Sequence, residues 1–432
     1  MAIRNPEEAD QVSRVILRDG LQPVDIKAIK GRMGDAVPLT MEYGIYVFIL
    51  LMFGGRLSTV RELAVYLPAL LWLLRSIGRK TLVLEWKEPL FIVVLALFLS
   101  AAVSSLINSG PVGSFLLLRK EYIEIVLLYC VISTTFVSPG KLRRLALVLA
   151  VTGTIYLVLG FHKIVTDLLK SGSIDYDRTR YYATIILFFL PFILFENDRS
   201  RGPAKVLWKA PLLGSVAGIL LTGVRGSWLG LLGVLGLWMY FLRERYRNVL
   251  IILTAGAAGV AVIILIIVAL FPGEYKFVKG HIMQKTPVSY RIETWKLFIR
   301  LSGERSLLGH GIDNDAMSEH YKESYKALNG SYPAEDKPIT PHNQFIRTLY
   351  QQGIIGLAIY ALLFLVLFYR VIRRFLSDRD NELSLFGISV AASVLGEYVI
   401  RCMTEDRSMI PLGLLLSMAG AYLNLKKDGE NG

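Results

Sequence analysis

Apolar residues in this chain do not alternate with polar ones. They run on for about 20 residues at a time, a length that crosses a hydrocarbon core about 30 Å thick as a helix. The runs are separated by short charged clusters. The pattern predicts twelve membrane spans, near 38–54, 58–75, 89–107, 115–136, 143–161, 180–196, 204–222, 226–242, 247–271, 343–369, 383–400 and 408–425. The fourth holds Arg119, Lys120, Glu121 and Glu124, charges that should face a neighbouring helix or a water-filled cavity. One long polar segment, 272–342, interrupts the series. Within it Ile292, Trp295 and Ile299 recur at helical spacing over 289–301, and Met317, Tyr321, Tyr325 and Leu328 do so over 314–328. Asn329 to Pro341 reads as loop. The expected fold is an all-α integral membrane protein of about twelve transmembrane helices with one helical loop domain. Its parts are an N-terminal extension (1–37), helices 1–9 (38–271), the loop domain (272–342), helices 10–12 (343–425) and a tail (426–432). Gly214-x3-Gly218 and Gly226-x3-Gly230 should serve close packing between helices of the same chain.

Composition agrees. Of 432 residues, 53% are hydrophobic and only 19% charged, against roughly 25% charged in a soluble domain. Mean hydropathy is +0.49. Disorder is excluded, because it needs few apolar residues and high charge. Two cysteines exclude a disulfide framework, and the five histidines are scattered along the sequence. The net charge of +13 could point to nucleic acid, so its distribution decides. Lys and Arg cluster after the even-numbered spans: Arg75, Arg79, Lys80 and Lys87; Lys141, Arg143 and Arg144; Arg199, Arg201 and Lys205; Arg243, Arg245 and Arg247; Arg370, Arg373, Arg374 and Arg379; then Lys426 and Lys427. That is the positive-inside pattern. It predicts a membrane-lipid environment, no nucleic acid, both termini in the cytoplasm, and 162–179, Arg225, 272–342 and 401–407 on the outer side. The 162–179 loop is a mild exception, with Lys163, Lys170 and Arg178. The first 37 residues mix six basic and six acidic residues with no apolar core of a signal peptide.

Three outer features carry candidate chemistry. Arg225 sits in Thr-Gly-Val-Arg-Gly-Ser-Trp, where orientation does not require a cation. It reads either as a snorkelling charge or as a contact for an anionic headgroup, and Gly223 and Gly226 would permit close backbone approach. Arg291 lies in the first turn of the 289–301 helix, against the helix dipole. It is either a solvated charge or one of two arginines that fork onto phosphate oxygens. In Thr340-Pro341-His342-Asn343-Gln344, Thr340 is an expected N-cap and Pro341 an expected N1 residue. His342 would then sit in the first helical turn, either as an interfacial residue or as an imidazole kept neutral by the helix dipole and able to act as a general base. The free N–H groups of that helix end would also hold an anion. Together the set suits an acceptor hydroxyl attacking a carbon bonded to a diphosphate leaving group. Asp175-Tyr-Asp177 and Asp313-Asn-Asp315 could hold a divalent cation, but Asp313 reads better as a helix N-cap and the other pair as turn residues. The outer segments show no His/Cys cluster with ligand spacing, so no metal and no cofactor are expected.

At these residues the chain resembles the O-antigen ligase family. The resemblance rests on Thr-Gly-Val-Arg225-Gly-Ser, Tyr290-Arg291-x3-Trp295, Leu-Leu-Gly309-His-Gly311, Pro341-His342-Asn343-Gln344-Phe345 and Gly353-x2-Gly356. It runs from about 210 to 420, and the topology extends it to the whole chain. The chain departs from the family in placing Ser306 and Leu307 where a Pro commonly precedes the glycines. The resemblance implies a bacterial inner-membrane glycosyltransferase of the GT-C type with a periplasmic loop domain. Such an enzyme moves a glycan from undecaprenyl diphosphate to lipid A-core oligosaccharide, without metal and with inversion. Arg225 and Arg291 would bind the diphosphate and His342 would act at the acceptor hydroxyl, supported by Tyr290, Trp295, Asn343 and Gln344. A polymerase of lipid-linked glycan, a protein O-oligosaccharyltransferase and, from another class, a lipid-linked sugar transporter remain alternatives. A transporter would keep its polar groups near the midplane, and here they lie at the outer surface.

Overall fold

The computed structural model describes residues 26–54, 57–78, 84, 86–108, 111–171, 176–222, 224–242, 288–333, 339–379, 381–406 and 408–425. The expected ninth span, the first part of the loop domain and the basic residues 243–247, 426 and 427 lie outside them. Among the described residues the architecture is all helical. In chain order the helices are α1 (Ile26–Leu51), α2 (Ser58–Gly78), α3 (Pro89–Asn108), α4 (Pro111–Leu117), α5 (Glu124–Thr135), α6 (Pro139–Ser171), α7 (Tyr176–Arg199), α8 (Gly202–Leu221), α9 (Arg225–Phe241), α10 (Val288–Ser302), α11 (Asn314–Asn329), α12 (Gln344–Ser377), α13 (Glu382–Ser393) and α14 (Ile410–Leu423). Wide π-turns join α4 to α5 over Leu118–Ile123 and extend α13 over Val394–Ile400.

Among the described residues, six helices are long and apolar enough to cross a membrane: Pro89–Asn108, Pro139–Asp167, Thr179–Arg199, Gly202–Leu221, Gln344–Ser377 and Glu382–Met403. Val37–Leu51 and Ile410–Leu423 are apolar but shorter. The segment expected as a mildly basic loop, 162–179, is largely helical instead. Helix α6 continues to Ser171, with Lys163 paired to Asp167 one turn on at 3.2 Å. Large apolar side chains point outward along these helices; on α8, Leu207, Leu213 and Leu221 are among the most exposed, as suits a helix facing lipid. The glycines serve packing within the chain. Gly218 lies against Leu157 and Ile186, and Gly230 against the backbone of Gly396.

Two cores organise the described residues. The larger fills the helix bundle. The smaller joins Leu297, Phe298 and Leu301 of α10 to Met317 and Tyr321 of α11, and to Ile339 and Tyr350. The buried face of α10 is therefore Thr294–Leu297–Phe298–Leu301. Ile292 and Ile299, expected on the packed face, are exposed. Their spacing is helical, but Phe298 stacks on Tyr321 at 4.9 Å and sets the rotation. On α11, Met317 and Tyr321 are buried as the spacing predicts, Tyr325 packs beside them, and Leu328 is exposed. Asp313 caps α11, accepting from the N–H groups of Asp315 and Ala316.

A break in α12 fastens the small core to the bundle. Gly353 adopts φ 68° and ψ −168°, outside helical geometry. The carbonyls freed on one side accept from the segment 306–311: His310 N–H donates to Tyr350 O at 2.9 Å and Gly311 N–H to Gln351 O at 3.0 Å. On the other side Ile354 N–H donates to Ser306 O at 2.8 Å. A Cβ at Gly353 would lie 2.2 Å from Leu307 O, so only glycine fits there. Ser104 and Asn108 at the end of α3 bond to Gln351 O and Gly309 O. The first two turns of α12 thus bridge the cores, with Ile346 and Tyr350 in the small one and Phe345 against the bundle, and the rest of the helix lies in the bundle.

Candidate active site

The segment 401–406, between α13 and α14, gathers the candidate residues. Arg401 lies one turn beyond Glu397 and is fully buried. It donates to Glu397 Oε1 at 2.8 Å, to Glu405 Oε2 at 2.8 Å and to Arg180 O at 3.2 Å, and also bonds Thr184. Arg180, near the start of α7, closes the network on Glu405. A buried guanidinium of this kind persists because each charge has a partner and further hydrogen bonds. The turn it fixes presents two backbone carbonyls outward. Arg291 Nη1 donates to Thr404 O at 3.2 Å, and Asn343 Nδ2 donates to Met403 O at 3.0 Å.

Arg225 opens α9, and its neighbour Gly226 packs against the same turn. A Cβ there would stand 2.5 Å from Thr404 Oγ1. The expectation of close approach at Gly226 holds, and what it approaches is the 401–404 turn. Gly223 lies outside the described residues. Helix α9 begins after Val224 with no side-chain cap, so its first N–H groups and Arg225 form one positive end.

His342 is not in the first turn of α12. The helix begins at Gln344 and its N-cap is Asn343, whose Oδ1 accepts from Phe345 and Ile346 N–H at 3.0 and 3.2 Å. Thr340 and Pro341 are not the cap and N1. His342 precedes the helix with φ 49°, a left-handed conformation uncommon outside glycine. Trp295 of α10 pins this turn by donating from Nε1 to Pro341 O at 2.7 Å. Two corrections follow. Asn343 already occupies two of the first N–H groups of α12, and His342 stands before the N-cap rather than in the first turn. Burial pulls its pKa below the ordinary imidazole range; Asp406 pulls it up, Arg180 and Arg291 push it down, and Glu405 raises it. Burial, the largest of these influences, favours the neutral ring. Gln344 contacts Met409 Sδ at 4.0 Å, at the start of α14, and Tyr290 is half-buried on α10 beside Arg291.

Arg291 and His342 thus meet beside the 401–406 turn, and the helix end bearing Arg225 abuts it. Sequence reasoning missed Arg180, Glu397, Arg401, Glu405 and Asp406. Asp406 faces His342 electrostatically, and among the described residues its buried carboxylate oxygens accept no hydrogen bond. A carboxylate so placed can steady a charge arriving on the imidazole.

Residues 210–361 match the family model described as O-Antigen ligase. This segment is thus similar to the O-antigen ligase family over about a third of the chain. It contains Arg225, Arg291, His342 and the glycine segments of the α12 break, whereas Arg180 and the 401–406 turn come from outside the matched stretch. Members of this family are glycan-transferring membrane enzymes. No curated protein matches the chain.

One further cluster departs from expectation. Histidines scattered in sequence come together in space: His310 and His320 have ring centres 5.0 Å apart, with Glu304 beside them. Asp313 is occupied as a cap, and Asp175 lies outside the described residues.

Proposed function

We propose that this protein is an O-antigen ligase, moving a glycan from undecaprenyl diphosphate to the lipid A-core oligosaccharide at the periplasmic face of the bacterial inner membrane. The observation that carries the reading is the meeting of Arg291, His342 and the Arg225 helix end at one turn, within a domain whose family acts on lipid-linked glycans. The acceptor hydroxyl gives its proton to the neutral His342 ring as its oxygen attacks the anomeric carbon. The bond from that carbon to the diphosphate breaks, and its electron pair leaves on the diphosphate oxygen. Arg225, Arg291 and the uncapped start of α9 meet the growing charge. Asp406 steadies the imidazolium, and direct displacement inverts the anomeric centre. Tyr290, Trp295, Asn343 and Gln344 hold the two arms of the site in register. We assign twelve spans, both termini inside and the 401–406 end outside, because the Lys/Arg clusters gather at the opposite end.

The test is transfer in detergent by purified protein given lipid-linked glycan and either lipid A-core or a second lipid-linked glycan. Product on lipid A-core supports the ligase. Extension of the second lipid-linked glycan alone would make the protein a polymerase. No product with either acceptor, alongside glycan movement in sealed vesicles, would make it a transporter. Orientation is tested separately: Tyr332→Cys, exposed after α11, should react with an impermeant thiol reagent in intact spheroplasts, and Ser377→Cys only after lysis.

A further inference from the structure

The Glu304, His310 and His320 cluster lies at the far end of α10 from the transfer site. Along that helix, at 1.5 Å of rise per residue, Glu304 is about 20 Å from Arg291. It belongs to the 303–311 segment that grips the break in α12.

The ring of His310 is held in a defined tautomer, and that of His320 is held in place by two partners. His310 Nε2 is 2.9 Å from Leu301 O. A carbonyl only accepts, so that nitrogen carries the hydrogen and Nδ1 keeps its lone pair. His320 Nδ1 is 2.8 Å from Tyr350 Oη, and its Nε2 is 3.5 Å from Glu304 Oε2. With a cation between His320 and Glu304, Nδ1 would donate to the tyrosine oxygen and Nε2 would turn its lone pair to the cation. His310 also stacks on Tyr350, with ring centres 4.6 Å apart, so one side chain orients both rings. One ligand atom from each of the three residues lies within 4.8 Å of the others. Arg305, the nearest cation in sequence, donates to Asn108, though its charge is still felt at His310.

We propose that Glu304, His310 and His320 form a site for a divalent transition-metal ion of the Zn2+ class, which clamps the end of α10 and the glycine segment to α11. Two imidazoles and one carboxylate are a borderline donor set that suits Zn2+, at about 2.0–2.2 Å per bond, with water completing the shell. Each histidine gives its second nitrogen to an oxygen partner, which is how metal-binding imidazoles are oriented. The ligands come from the turn after α10, the glycine segment and α11, so binding cross-links three pieces that otherwise meet through the small core and backbone hydrogen bonds. The ion does not take part in glycan transfer. It stabilises the platform from which α10 presents Arg291.

The experiment uses full-length protein in detergent, purified without a polyhistidine tag and stripped by a chelating resin. Co2+ titration should give one equivalent of a visible ligand-field band, which Zn2+ then displaces, and Zn2+ should raise the thermal midpoint. Glu304→Gln, at a half-exposed side chain, should fold normally yet weaken Co2+ binding at least tenfold, as should His320→Asn. Tyr350→Phe should lose roughly 10–100-fold in affinity through the lost partner of His320. Transfer activity should persist in the stripped protein. The proposal is overturned if wild type shows no saturable band, or if Glu304→Gln and His320→Asn bind Co2+ as tightly as wild type. It is also overturned if Zn2+ shifts the midpoint equally in all of them. None of these outcomes bears on the glycan-transfer reading, which concerns the other end of α10.

Discussion

The two ends of the bundle use the same residue types to different effect. At the end away from the site, Glu42 pairs with Lys141 at 3.3 Å and Arg144 at 3.0 Å, Glu382 with Arg143 at 3.1 Å and Arg199 at 3.5 Å, and Glu88 with Arg370 at 3.7 Å. Most of those cations are substantially exposed, Glu42 and Glu88 are buried, and only the Glu382 pairs are open to solvent on both sides; each pair ties the ends of two helices. At the 401–406 end the cation is inside. Arg401 is fully buried between Glu397 and Glu405, and the groups left at the edge are Arg225, Arg291, His342 and Asp406. Exposed pairs in high dielectric contribute little and can be replaced. A dry network fixes one geometry, because any of its charges left alone is costly. One end is a set of latches, and the other is a rigid frame with the candidate groups at its rim.

The largest effect should come from the rim. His342→Ala should lower transfer by about 10²–10⁴-fold while donor binding persists, and Gln should not rescue, since an amide does not accept the proton at neutral pH. Near-normal turnover by His342→Gln would reduce His342 to an orienting role. The frame predicts the sign of a pH effect as well. Burial lowers the His342 pKa and Asp406 raises it, so the base form, and with it activity, should persist below the ordinary histidine range. Asp406→Asn removes the raising partner and should move the acid limb of the pH–rate profile to lower pH. A limb that stays put, or moves up, would separate Asp406 from His342.

Next come the arginines. Arg225→Ala and Arg291→Ala should each cost about 10²–10³ in turnover, the scale of a lost charge-stabilising donor. Lys should restore little, because an ammonium makes no planar fork. Full activity in both Lys variants would mean that charge alone suffices.

Much of this was legible in the sequence. Helices over the described apolar runs and the amphipathic α10 and α11 follow from spacing; Arg225 and Arg291 stood out as charges that topology does not need, and His342 through a helix position that it does not occupy. Rotation and register were not legible. Ile292, Trp295 and Ile299 satisfy helical spacing as well as the true buried face does, and only the stacking of Phe298 on Tyr321 decides between them. The start of α12 was misplaced because Thr340-Pro341 and Asn343 are both good caps, and the Trp295 bond to Pro341 selects the second. The frame itself left a signal. Glu397, Arg401 and Glu405 stand four apart at the end of an apolar run, where ionisable residues seldom lie without partners.

The smallest effect tests the latches. Arg401→Met should strand Glu397 and cost about 3–5 kcal/mol of stability, with Glu397→Gln added to it recovering part of the loss. Arg143→Ala removes a pair whose side chains are 43% and 36% exposed, so it should cost about 0–1 kcal/mol and leave transfer unchanged. Unfolding midpoints of the two variants, followed in the same detergent, make the measurement. Glu382 keeps Arg199 as a second partner at 3.5 Å, which is a further reason for a small loss at that end. Equal losses in Arg143→Ala and Arg401→Met would erase the distinction between latch and frame. A small loss for Arg401→Met alone would mean that water reaches Glu397, and that the rim residues are held by the surrounding packing rather than by the buried charges.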